Sequence, residues 1–157
     1  MHRLAVLAAV SALLTGCQSE PSCRLLHVVV GVGVSIEAPL AARTETVSIQ
    51  VCWDGACRPA DVTLSPSTRM ESSTCSGDTC SARGVRTGDK HGVGEVEGLP
   101  KRPVEVRLKL LGAAADPVLE RTVTVTPKGS FPNGPDCGEG GPSTALTVSR
   151  DGVVRER

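Results

Sequence analysis

A cysteine-flanked hairpin pattern between residues 46 and 64 constrains the fold of this chain more than any other feature. Apolar and polar residues alternate on both sides of Asp54-Gly55, a dipeptide that favours the tight turn of a β-hairpin. A two-residue turn there pairs Cys52 with Cys57. It also places the apolar side chains of both strands on one face; these are Val47, Ile49, Val51, Trp53, Ala60 and Val62. Because directly opposed residues at a non-hydrogen-bonded position have Cα atoms ~4.5 Å apart, the register predicts a disulfide between the two cysteines.

The same register predicts how the second strand of the hairpin lies in its sheet. It points the nitrogen of Pro59 away from the first strand. Since proline has no N–H to donate, it would interrupt pairing with a further strand on that side. We therefore expect this second strand to be an edge strand.

Alternation with a period of two also marks the segment from residue 26 to residue 36, as expected for a strand with one buried face. Its apolar positions are Leu26, Val28, Val30, Val32, Val34 and Ile36. Gly31 and Gly33 fall on the opposite face, where the absence of a side chain permits another backbone to approach closely.

Further strand patterns follow at residues 93–97, 104–110, 119–126, 145–149 and 153–154, with turn residues between them. No segment after residue 16 carries a helical period. We therefore predict an all-β fold, an antiparallel β-sandwich of about seven strands, immunoglobulin-like or transthyretin-like, that forms a single domain over residues 25–157.

One segment interrupts this pattern. Residues 66–92 are rich in Ser, Thr, Gly, Arg and Asp and have few apolar positions, so we expect a long polar loop. Cys75 and Cys80 have the same spacing as Cys52 and Cys57, and a small cross-linked loop is the simplest interpretation. Loops of this length inside a domain are usually either functional or disordered.

The first residues look like an export signal. Met1-His2-Arg3 precedes an apolar run from Leu4 to Leu14, too short to span a membrane, and the run ends in Leu14-Thr15-Gly16-Cys17. This tetrapeptide resembles the lipobox of bacterial lipoproteins, and the Ala, Gly, Val and Arg-rich composition resembles small lipoproteins of high-GC actinobacteria. The resemblance implies that residues 1–16 form a signal helix that is removed, that Cys17 carries lipid, and that residues 17–24 tether the domain to the extracytoplasmic face of the cell membrane.

The cysteine count agrees with this location. Lipid on Cys17 leaves an even number of the seven cysteines, and an oxidising compartment favours three disulfides. With Cys52–Cys57 and Cys75–Cys80 paired, Cys23 and Cys137 pair by elimination. A four-thiolate zinc site is the alternative, but zinc ribbons usually have two residues between paired ligands. A reducible Cys52–Cys57 bridge would instead suit a thiol–disulfide sensor.

Composition argues against several function classes. Only Arg3 of the charged residues lies in the signal, which leaves 16 basic and 17 acidic residues without clustering, so we expect no nucleic-acid partner. Trp53 and Phe131 are the only aromatic residues, so an aromatic carbohydrate-binding platform is not expected. The histidines after the signal, His27 and His91, have no recognisable catalytic partners. We expect no catalytic residues, no bound metal and no cofactor.

A second resemblance is local. Residues 52–61, Cys-Trp-Asp-Gly-Ala-Cys-Arg-Pro-Ala-Asp, are similar to the disulfide hairpin of the enediyne-binding apoproteins of actinomycetes, which are exported immunoglobulin-like sandwiches that hold an apolar chromophore. Trp53, Asp54 and Arg58 are our candidate binding residues. We expect a lipid-anchored, non-catalytic module that binds another envelope component, such as a protein, through the hairpin or the 66–92 segment, with a small ligand between the sheets as the alternative.

Overall fold

The computed structural model describes Cys23, Leu26 and residues 28–157, and this part of the chain confirms the all-β class. Besides a one-turn helix, α1 (Leu40–Arg43), and two 3-10 turns at Ala113–Ala115 and Pro135–Cys137, its regular secondary structure consists of strands. They are β1 (Gly31–Ile36), β2 (Thr46–Trp53), β3 (Ala56–Val62), β4 (Ser65–Met70), β5 (Thr74–Ser76), β6 (Thr79–Ser81), β7 (Gly84–Glu95), β8 (Val104–Leu111), β9 (Pro117–Val125), β10 (Lys128–Ser130), β11 (Gly140–Val148) and β12 (Val154–Glu156).

Ten of these strands form one sheet in the order β10-β11-β1-β7-β3-β2-β8-β9, with β12 added to β11 and β4 added to β7. All pairs are antiparallel except β1 with β11, which is parallel. The sheet curls back on itself, so that β9, at one end of the strand order, approaches β12. The backbone N–H of Thr126, directly after β9, donates to the Glu156 carboxylate in β12 at 3.3 Å. The structure thus has more strands than the expected seven or so, and its largest sheet is mixed.

The core inside the curled sheet is aliphatic. Its buried side chains are almost all Val, Leu and Ile, and they come from both ends of the strand order, for example Ile49 of β2, Leu108 of β8 and Leu146 of β11. The expected inward positions of β1 are confirmed for Val32, Val34 and Ile36. The same expectation is wrong for Leu26, which is 59% exposed, because β1 begins only at Gly31.

The hairpin has the expected register throughout. Cys52 faces Cys57 and Trp53 faces Ala56, and the turn residues Asp54 and Gly55 both have positive φ, at 50° and 77°, as the favoured two-residue turn requires. β3 pairs with β2 along its whole length but meets β7 only at Val62. The expectation of an edge strand is therefore wrong, because β3 lies between β2 and β7 in the sheet; Pro59 limits this second pairing to the end of the strand at Val62.

The close approach expected at the β1 glycines is confirmed at one of them. A Cβ on Gly31 would lie 2.1 Å from the backbone oxygen of Gly94 in β7, a distance at which side chain and backbone overlap. A Cβ on Gly33 would meet its nearest neighbour, the Cβ of Ala145, at an ordinary 3.6 Å. The spacing between neighbouring backbones therefore requires glycine at position 31 but not at position 33.

The segment 66–92 is not the expected loop. It contains most of β4, all of β5 and β6 and most of β7, in which β4 pairs antiparallel with β7 and β5 pairs with β6. The prediction failed because it depended on alternation between apolar and polar residues, which arises only where one face of a strand is buried. Here the backbone ladders form while both faces remain in water. We call residues 67–87 the arm.

Candidate functional site

The register of β7 places the arm and the start of the domain at opposite ends of the sheet. β7 pairs with β1 from Glu95, opposite Gly31, to Lys90, opposite Ile36. The residues of β7 before Lys90 therefore extend beyond the carboxyl end of β1, where they pair with β4 to form the arm. The amino end of β1, by contrast, lies beside the amino end of β11, since Gly31 faces Ser143 in parallel register. We call this second region the tether end; it comprises Cys23, Leu26, residues 28–31, 53–56, 97–103 and 128–141.

The arm is almost entirely exposed. Apart from Ser67 and Val85, which are half-buried, every residue from 67 to 87 is exposed. At its base the Thr87 hydroxyl donates to the backbone oxygen of Ser67 at 3.4 Å, and the Ser67 hydroxyl lies 2.9 Å from Nδ1 of His91. These polar contacts and the β4–β7 ladder, rather than an apolar core, connect the arm to the sheet.

A disulfide closes the arm near its tip. Cys75 and Cys80 face each other across β5 and β6 with their Cα atoms 4.0 Å apart, and the hydroxyls of Thr74 and Ser81 lie 3.3 Å apart on the neighbouring pair. Gly77 has a φ of 58° at the first turn position, the position at which one family of tight hairpin turns prefers glycine. The expected small cross-linked loop is thus a complete hairpin.

The side chains of the arm differ between its two faces. Thr68 pairs with Arg86 and Met70 pairs with Gly84, so these four residues share one face. Met70 is 67% exposed, and Gly84 offers no side chain to cover it. An exposed thioether thus lies on the same face as a guanidinium. The other face carries Arg69 opposite Val85.

The structure brings two of the three candidate binding residues together. Arg58 lies diagonal to Trp53 on the same face of the hairpin, and its guanidinium carbon is 4.0 Å from the centroid of the indole ring. Trp53 is half-buried and packs against the core. One face of the indole ring is thus covered by the protein's own arginine, in a cation–π contact.

The third candidate, Asp54, forms an ion pair with Arg102, a residue that sequence analysis missed because it lies 48 positions away. The hydrogen bond from Arg102 holds the pKa of the Asp54 carboxyl below its ordinary value, with the positive charges of Arg102 and Arg58 adding to the effect. The adjacent Lys101 forms an ion pair with Glu139. Residues 101 and 102 thus connect the hairpin tip to the segment before β11 through two ion pairs at the tether end.

A second connection at the tether end involves the beginning of the domain. The expected Cys23–Cys137 disulfide is present, with a Cα–Cα distance of 5.4 Å. The Asn133 side chain accepts a hydrogen bond from the backbone N–H of Leu26 at 3.1 Å and donates one to its carbonyl at 3.3 Å. Phe131, in the same turn as Asn133, is 52% exposed.

Clefts and clusters of titratable side chains are the features of the described residues that bear on a small ligand or a metal. Two open clefts of about 560 and 420 Å³ lie on the described part of the chain, one beside β10 and β11 and one beside residues 95–97, and Trp53 lines neither. Within residues 28–157, together with Cys23 and Leu26, no group of three or more His, Cys, Asp or Glu side chains could hold a metal. The same residues contain no helix long and apolar enough to cross a membrane.

The expected lipid attachment site, Cys17, lies outside the described residues, as does His27. The remaining expected disulfide, Cys52–Cys57, is present on the outer face of the hairpin, where Cys52 is half-buried and Cys57 exposed. Comparison with protein-family models, curated proteins and solved structures found no match to this chain.

Proposed function

We propose that this protein is a lipid-anchored, non-catalytic binding module of the bacterial cell envelope, and that the arm is the element that binds its protein partner. The lipobox-like Leu14-Thr15-Gly16-Cys17 supports the anchor. The observation that carries the assignment of the arm is that most of residues 67–87 form paired strands, closed near the tip by a disulfide, while almost all of them are exposed.

The energetics of the arm support a role outside the fold. Fixing the backbone of each residue costs about 1–2 kcal/mol, and an isolated two-stranded hairpin is marginally stable in water. No arm residue belongs to the hydrophobic core. The Cys75–Cys80 bridge reduces the entropy that the unfolded tip would gain. A disulfide-closed ribbon that adds nothing to the core is best explained by the side chains and strand edges that it presents.

The position of the arm suits a partner located away from the membrane. β7 has 12 residues and spans at most about 36 Å at the usual rise per residue. Its second half pairs with β1, whereas its first half extends past the end of β1 into the arm. A lipid on Cys17 would hold the opposite end of the sheet at the bilayer, so the arm would extend outward.

The chemistry of the arm defines the partner's surface. Met70, Thr68 and Arg86 combine an exposed apolar group with a cation on one face, which fits a protein surface that has an apolar pocket next to a carboxylate. Methionine adapts its shape to irregular apolar pockets. The outer edge of β4 also has no strand partner among the described residues, so a partner strand could add to it.

The test is site-specific photo-crosslinking in intact cells. A photoreactive residue at Met70 should give one discrete adduct, and Arg86→Glu should abolish this adduct because it reverses the charge beside the crosslinker. The matched control is a photoreactive residue at Lys109 on the outer face of β8, which should give no adduct of the same size. Equal adducts from both positions, or an adduct that is insensitive to Arg86→Glu, would refute the arm as the binding element.

A further inference from the structure

We propose that the tether end of the domain lies on the bilayer surface, with Leu26 and Phe131 inserted among the lipid headgroups. This inference rests on the proposed lipid anchor at Cys17. It goes beyond that anchor, because it commits to one orientation of the domain and to one face in contact with lipid.

The chain length between the anchor and the fold supports this orientation. Cys17 and Cys23 are six residues apart, which allows a separation of at most about 22 Å even for a fully extended chain. The Cys23–Cys137 disulfide transfers this restraint to the turn region at residues 131–137, because the two Cα atoms are only 5.4 Å apart. The bridge thus keeps a specific part of the sheet near the membrane.

The surface held there is apolar. Leu26 and Phe131 are two of the few large apolar side chains exposed in the described part of the chain, and Phe131 is the only phenylalanine of the protein. The backbone of Leu26 donates one hydrogen bond to the side chain of Asn133 and accepts one from it, and Asn133 belongs to the same tight turn as Phe131. The two apolar side chains are therefore presented together by the segment that the disulfide holds near the anchor.

The charges around this surface are compatible with a headgroup layer. The Lys101–Glu139 and Arg102–Asp54 pairs are neutralised within the tether end. Lys128 is also exposed there together with Asp136 and Glu97, so that the residues outside these pairs add one positive and two negative charges. The surface therefore has little net charge, which favours contact with a zwitterionic interface, with the apolar side chains supplying the attraction.

The experiment uses the protein extracted in detergent from the membrane fraction of expressing bacteria and reconstituted with phosphatidylcholine vesicles. In a Trp53→Phe background, Phe131→Trp and Met70→Trp place a single tryptophan at the tether end or on the arm, and both replaced residues are exposed. With brominated phosphatidylcholine we expect at least twofold quenching for Phe131→Trp and no quenching for Met70→Trp. Flotation of the vesicles measures the anchor separately.

The outcomes separate the two proposals. Protein that floats with the vesicles but shows no quenching for Phe131→Trp, or equal quenching for both variants, would overturn the orientation while leaving the anchor intact. Protein that does not float would overturn the anchor and the orientation together. As a second measurement on the unmutated protein, hydrogen exchange at residues 130–138 should slow at least fivefold on vesicles while exchange in the arm is unchanged; no slowing in floating protein overturns the orientation.

Discussion

The three disulfides differ in what they connect, so their removal should have unequal effects on stability. The Cys23–Cys137 bridge closes a loop with a sequence separation of 114 residues, whereas Cys52–Cys57 and Cys75–Cys80 each have a separation of 5. Applying the loop-entropy relation at 25 °C gives about 5 kcal/mol for the long loop and about 2 kcal/mol for each hairpin loop. The folded surroundings then decide how much of each value reaches the global free energy of unfolding.

We expect the Cys75–Cys80 bridge to contribute almost nothing to global stability. The arm contains no core residue, so it can unfold locally while the sheet remains intact. The hairpin bridge differs, because Cys52 lies in β2 between two neighbouring strands and cannot separate from β3 without loss of the core. The expected order of destabilisation is therefore about 5 kcal/mol for Cys23→Ser with Cys137→Ser, about 2 for Cys52→Ser with Cys57→Ser, and under about 0.5 for Cys75→Ser with Cys80→Ser.

The assay is urea unfolding of the unlipidated chain, with Cys17→Ser as the common background. Circular dichroism monitors the transition, and each unfolding curve is fitted for its midpoint and slope. Since typical domains have a total stability of about 5–15 kcal/mol, loss of the long bridge should bring this one close to its unfolding threshold. Hydrogen exchange should show faster exchange in the arm of the Cys75→Ser, Cys80→Ser variant at unchanged midpoint. An equal loss of stability from both hairpin bridges would refute the claim that the arm is energetically separate from the sheet.

Three further outcomes follow from the packing and the ion pairs. Gly31→Ala should destabilise by roughly 1–3 kcal/mol in urea, because its Cβ would overlap Gly94, whereas Gly33→Ala should be neutral or slightly stabilising; equal effects would contradict the close approach. Arg58→Ala should lower the free energy of unfolding by roughly 0.5–1 kcal/mol and shift the fluorescence emission of Trp53 to the red, and Arg58→Lys should largely prevent this shift. Because the pKa of Asp54 is lowered in the folded state, its ion pair stabilises above the ordinary pKa of 3.8 and is lost as pH falls below it; Asp54→Asn should therefore be less stable than the native protein at pH 7, and the difference should shrink at pH 3.

The features that could be predicted from sequence are those set by local chemistry. Asp54-Gly55 and the flanking alternation determined the hairpin register, and with it the opposed cysteines. The Arg58–Trp53 contact could also have been predicted from this register, since the register places both side chains on one face. By contrast, the Asp54–Arg102 pair and the parallel β1–β11 ladder connect distant residues, and no local pattern indicates them.

The arm shows a different limit. Alternation identifies a strand only if one face is buried, and the arm has no buried face. A usable signal was nevertheless present, because Cys75 and Cys80 have the spacing of the first cysteine pair, and Gly77-Asp78 supplies a glycine at the first turn position. Equal spacing with a turn dipeptide predicts opposed cysteines on paired strands, whatever the polarity of the residues around them.

β7 connects the two halves of the functional proposal within one strand. Its second half enters the crowded part of the sheet because Gly92 and Gly94 have no side chains: a Cβ on Gly92 would lie 2.5 Å from the backbone oxygen of Thr63. Its first half pairs only with β4 and forms the arm. The two halves meet at an irregularity: the β4–β7 register shifts between Pro66 and Thr68, and Gly88 of β7 has a φ of 87° there. The β1–β7 register sets where β7 leaves the sheet, and this bulge sets the direction that the arm then takes. A shift of the β1–β7 register by one residue would bring a side chain onto the glycine positions and move the arm, so the packing that stabilises the core also determines where the arm begins.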